Sequence, residues 1–137
     1  MSKRELRKYL KELTKVQLEE QIIDLYERFK PVKEYYDFAF NPKENELIEQ
    51  CRFQISKEYY PVGSRKAKLR RSVAQKWIKK LILLDADASL LADVMLFNIE
   101  IALTFSGEHI IRQESFFTSM YKSFDETLRF VSEKGIL

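Results

Sequence analysis

SKRELRKYLKELTKVQLEEQIIDLYERF, residues 2–29, carries two helix-start signals twelve residues apart and identical in logic. Ser2 is followed three residues later by Glu5, and Thr14 by Gln17, the spacing at which a hydroxyl and a carboxyl or amide side chain reciprocally satisfy the first N–H groups of a helix. Behind the first signal, Leu6, Leu10 and Leu13 recur at helical intervals; behind the second, Leu18, Ile22, Leu25, Tyr26 and Phe29 form one stripe. The short connection between them predicts a helical hairpin.

The same reading extends along the chain. Pro31 to Phe40 is expected to be a short aromatic-rich helix, and Asn41-Pro42 to supply an N-cap and first-turn proline for a fourth, with Leu47, Ile48, Cys51 and Ile55 facing inward. A fifth helix is expected from Arg65 to Leu84. A sixth is expected from Ala88 to Ser106, capped by Asp87 and closed by Gly107. The last carries Phe117, Met120, Phe124, Leu128 and Val131 and ends before Gly135. With only 3 Gly and 3 Pro in 137 residues, the chain lacks the turn residues that a hairpin-rich β protein needs. The expected fold class is all-α, with about seven helices packed as antiparallel pairs in a bundle or short superhelical array. Residues 1–137 are expected to form a single helical domain. Tyr60-Pro61-Val62-Gly63-Ser64 is the candidate hinge at 60–64, with Ser64 as an N-cap.

Several function classes find no support. One Cys and one His make neither a disulfide framework nor a Cys-rich zinc site, and no glycine-rich phosphate loop or nucleophile elbow occurs, so no cofactor and no metal is expected. Cys51 has apolar companions at i−4, i−3 and i+4, the setting of a small buried hydrophobe. Asp93, Glu100 and Thr104 share a helical stripe, but without a Glu-x-x-His partner motif they read as a solvated or salt-bridged face. His109 stands alone in a turn, and Asn98, on an otherwise apolar helix, is expected to be buried and hydrogen-bonded. The stretch Leu90–Phe105 is expected to be a core helix too short to span a bilayer, and the N-terminus has no apolar segment behind its charges; a cytoplasmic protein with no membrane association is expected.

Charge is the most uneven feature. Eight of the 24 cations lie between residues 65 and 80, and none of the 21 acids lies between Glu58 and Asp85. On a helix, Leu69, Val73, Trp77, Leu81 and Leu84 would take one side, and Lys68, Arg71, Lys76 and Lys79 the other. Those four are the candidate polyanion-binding residues; the competing reading is a solvated face that balances an otherwise acidic chain. Arg70 falls at the edge of the apolar side and is expected to pair with Asp93 or Glu100. The aromatic residues Tyr35, Tyr36, Phe38, Tyr59 and Tyr60 are dense for two short segments and suit either core packing or an interface that is apolar inside and wet at its rim.

The runs SKRELRKYL (2–10), EQIIDLYERF (20–29), VKEYYDFAFNPKE (32–44) and SVAQK (72–76) resemble an uncharacterised bacterial family of small helical proteins, a domain of unknown function, over roughly residues 2 to 105. The resemblance implies a small cytoplasmic helical protein and brings no activity, cofactor or catalytic residue. The expected function is a non-enzymatic interaction module recognising a protein or peptide through its aromatic-lined helices. The alternative is a nucleic-acid-associated module using the basic helix 65–80, and an enzyme of unknown class comes third. Circular dichroism should show well over half of the residues helical, with a cooperative thermal transition; substantial β signal would overturn the fold class.

Overall fold

The computed structural model describes residues 1–63 and 65–136, so the expected cap Ser64 lies outside the described residues. Among the described residues there are seven α-helices and no strand: α1 (Lys3–Lys11), α2 (Lys15–Arg28), α3 (Lys30–Phe40), α4 (Glu44–Tyr59), α5 (Arg71–Leu83), α6 (Ala88–Glu108) and α7 (Glu114–Lys134). The fold class is all-α. The chain divides into two compact units, Met1–Pro42 and Lys43–Leu137. Residues 60–63 belong to the α4–α5 connection inside the second unit.

The first unit starts as its capping signals require. Ser2 Oγ accepts from Glu5 N–H at 3.1 Å while Glu5 Oε2 accepts from Ser2 N–H at 3.2 Å, and Thr14 and Gln17 repeat the exchange. Phe29 ends α2 and begins α3, and α2 packs against α3. No residue of these three helices is buried.

The second unit holds the core. Ile48, Cys51 and Ile55 of α4 meet Ala74, Ile78 and Leu81 of α5 and Leu91, Val94 and Met95 of α6. A second cluster joins Tyr59 of α4 with Ala102 and Phe105 of α6 and Phe116 of α7. Burial raises the Cys51 thiol to about 11, which leaves it protonated and unreactive near neutrality. Helix α6 is 21 residues long, longer than the 90–105 stretch, and it is long and apolar enough by length and composition alone to cross a membrane; in this fold its apolar residues pack into both clusters.

Three boundaries differ from the expectation. Asn41 is the C-cap of α3 rather than the N-cap of α4, which starts after Lys43. Pro42 disfavours helical backbone at the residue before it, and Asn41 sits at φ −140°, ψ 71°. Gly107 lies inside α6, which continues to Glu108 and ends on extended His109. Most consequential, α5 starts at Arg71, not Arg65, because the N–H groups of residues 68–70 are bound elsewhere.

Leu81→Ala, at a position only 1% exposed, should cost about 2–5 kcal/mol in denaturant unfolding. Leu83→Ala on the same helix, 74% exposed, should change stability by no more than ~0.5 kcal/mol.

Candidate functional site

Residues 65–70 form an irregular strap tied to the last turn of α4 by one residue. The Glu58 carbonyl, among the last carbonyls of α4 and so without a partner from a following helical turn, accepts from Lys68 N–H at 3.1 Å and Leu69 N–H at 3.2 Å. Leu69 adopts φ 57°, a left-handed conformation that costs a leucine ~1–2 kcal/mol and that these hydrogen bonds offset. The Glu58 carboxylate accepts from Arg70 N–H at 3.0 Å and from the Arg70 guanidinium at 3.2 and 2.9 Å. Its side chain is 9% exposed. The Arg70 hydrogen bonds hold the carboxyl below its ordinary range, against the opposing effect of burial. Thus Arg70 pairs with Glu58, not with Asp93 or Glu100; the earlier residue was within reach once 65–70 left the helix.

Between α4, this strap and α5 lies a groove of about 760 Å³. Lys57, Arg65, Lys66, Lys68, Arg70 and Lys76 line it against a single acid, Glu58, which Arg70 already engages. Among the described residues no ion pair involves the other five cations. Pro61, Val62, Val73 and Trp77 supply apolar wall, and the volume is in the range of ordinary ligand sites.

The four candidate cations are distributed unequally. Lys68 and Lys76 are exposed and line the groove; Lys79 is exposed outside its lining. Arg71 is turned toward α7, where its Nε donates to Ser123 Oγ at 3.0 Å and its Nη2 pairs with Glu126. Its side chain is 24% exposed, so it leaves the solvated face and anchors the start of α5. Lys57 joins the groove from another helix, a contribution that no run of cations announces.

The candidate aromatics fall into separate sets. Tyr35, Tyr36 and Phe38 belong to the first unit, where Tyr35 meets the Tyr36 ring edge-on at 5.4 Å and Tyr36 lines a groove with Ile22, Tyr26 and Phe40. Tyr59 is buried in the second core cluster, 5.8 Å from the Phe105 ring, and so cannot present itself to a partner. Tyr60 donates to Glu108 Oε2 at 3.0 Å and packs edge-on against Phe105.

Asp93 and Glu100 lie on the exposed side of α6, and Thr104 donates back to the Glu100 carbonyl. The His109 ring stacks on Phe105 at 4.1 Å, with Nδ1 3.1 Å from the Phe105 carbonyl oxygen. Among the described residues, no group of three or more His, Cys, Asp or Glu side chains could hold a metal ion. Asn98 is buried as expected and lines a small cavity with Ser119 and Ser123, but the hydrogen bond expected of its side chain is not found among the described residues.

Comparison with family models matches residues 1–137 to a family of unknown function (DUF6155), and the chain belongs to that family. The match extends beyond the 2–105 stretch that the resemblance covered. No curated protein and no solved structure matches the chain.

Because the Glu58 carboxyl is lowered in the folded state, its contribution to stability should be present above its ordinary value of 4.5 and lost as pH falls through the lowered folded value. Glu58→Gln should destabilise by ~1.5–3 kcal/mol at neutral pH, the range of a charged hydrogen bond lost. The difference between wild type and variant should shrink on acidification, as read from thermal unfolding across that window.

Proposed function

Since membership of that family supplies no activity, we propose from the groove itself that the chain is a non-enzymatic binding module whose ligand is a polyanion. The observation that carries this is the local imbalance of charge: six cations and one neutralised acid surround a single concavity. Lys and Arg so placed release the counterions of a phosphate chain on binding, which gives affinity without sequence or side-chain complementarity. The groove is built on rigid parts, since α5 is fixed from below by Ala74, Ile78 and Leu81 and at its start by Arg70 and Arg71. A cytoplasmic location is part of this reading.

A protein or peptide partner is favoured by a different observation. Phe117, Tyr121, Phe124 and Leu128 recur at coiled-coil spacing along α7, and each is at least half exposed. This stripe, rather than the aromatics of residues 35–60, supports recognition of a second chain.

Inorganic polyphosphate tests the main reading. Its affinity should fall linearly with salt on logarithmic axes, with a slope of roughly −2 to −4 for the number of cations available. Combined Lys57→Glu, Lys66→Glu and Lys76→Glu substitutions should abolish binding while leaving the circular dichroism spectrum unchanged. Failure of the wild-type protein to bind polyphosphate at ~50 mM salt, where electrostatic binding is strong, would overturn the proposal.

A further inference from the structure

We infer that the polyanion taken by the α4–α5 groove is single-stranded nucleic acid, its phosphates on the cationic rim and a base against Trp77. The inference rests on the polyanion reading of the same groove and names its ligand.

Two chemistries share the concavity. The rim provides ammonium and guanidinium groups from α4, the strap and α5, while the wall provides the indole of Trp77 beside Pro61 and Val62. Trp77 is only partly buried, packed against the first core cluster, and Lys80 Nζ stands 5.3 Å from its ring centroid. A strand of nucleic acid carries the matching pair along its length: an anionic backbone and flat apolar bases. Single-strand sites combine a cationic groove with an aromatic platform for this reason. Polyphosphate satisfies the rim but brings no planar group to the indole.

A duplex fits less well. Reading it in the major groove requires an element that projects into the DNA. Here α5 is held between α4 and α6 with Ala74, Ile78 and Leu81 in the core, and Arg71 is committed to α7. The cationic surface is concave, so it receives a strand rather than entering one. An acidic peptide would meet the same rim, but its carboxylates bring no planar group for the indole.

Trp77 is the only tryptophan in the chain, so its fluorescence reports this groove alone. The experiment titrates the whole protein with oligothymidylate of about 12 nucleotides, within the usual footprint of a single-strand site, and with polyphosphate of equal charge. Oligothymidylate should quench Trp77 and bind about tenfold more tightly than polyphosphate, the preference expected of one stacked base. Trp77→Leu should remove that preference, so that the variant binds oligothymidylate no more tightly than it binds polyphosphate. Trp77→Phe, which keeps a stacking surface and a similar fit to the core, should retain most of it, separating lost stacking from lost folding.

Equal binding of the two polymers without quenching overturns the nucleic-acid inference and leaves the polyanion reading standing. Polyglutamate that binds as tightly as oligothymidylate, or a duplex of equal length that binds more tightly, also overturns it. If neither oligothymidylate nor polyphosphate binds, both readings fail together.

Discussion

Glu58 holds the second unit's functional surface in shape because it answers two unmet demands with one residue. A helix that ends at Tyr59 leaves carbonyls of its last turn without partners, and a mostly cationic connection has little beyond Ala67 and Leu69, packed on the second core cluster, with which to fix itself. The Glu58 carbonyl takes the first role and its carboxylate the second, so that the N–H groups of residues 68, 69 and 70 converge on the end of α4. Without that convergence the strap would have to place several like charges near one another with nothing holding them there. The groove is therefore a consequence of one acid in a stretch otherwise empty of acids.

The division of labour between arginine and lysine follows from the same geometry. Arg70 and Arg71 are adjacent, and their planar guanidinium groups fork in opposite directions, one onto Glu58 of α4 and the other onto Ser123 and Glu126 of α7. Cations at a helix start oppose the helix dipole, and here each has a carboxylate that offsets the cost. Lys57, Lys66, Lys68 and Lys76 make no such pairs among the described residues and stay on the groove's rim. A flexible, strongly hydrated ammonium suits that position, since it can follow an anionic chain whose charges need no fixed geometry.

How far the amino-acid sequence discloses this depends on the distance over which each feature is decided. The starts of α1, α2 and α6 are set by Ser2, Thr14 and Asp87 acting on residues two or three positions away, and all three can be read directly. Gly135 at φ 65° closes α7 in the same local way. The start of α5 is different: periodicity favours a helix from Arg65, but Glu58, twelve residues before Arg70, claims the N–H groups that such a helix would use. The cationic run marks Lys68 and Lys76 correctly as surface charges. It cannot show that Lys57 joins them or that Arg71 departs, because both depend on which helices are neighbours. Tyr59 and Tyr60 look alike in sequence, yet one points into a core cluster and the other bonds Glu108.

The two units also rest on different kinds of interaction. In Met1–Pro42, with no buried residue in its helices, the half-buried packing of α2 on α3 and the Tyr26–Asp37 and Gln21–Tyr9 hydrogen bonds are joined by capping boxes and by the i, i+4 pairs Lys15–Glu19, Arg28–Asp24 and Lys30–Glu34. Each such pair contributes only ~0.2–0.5 kcal/mol, and a capping residue about 1 kcal/mol. In Lys43–Leu137, Ile55, Leu81, Val94 and Cys51 are almost wholly removed from water, and each large side chain so buried contributes ~1.5–3 kcal/mol. The cooperative core thus belongs to the second unit, and every wall of the groove is drawn from elements anchored in it. A site that gathers several like charges round one concavity needs that anchorage, because their mutual repulsion acts against any strap that only local hydrogen bonds secure.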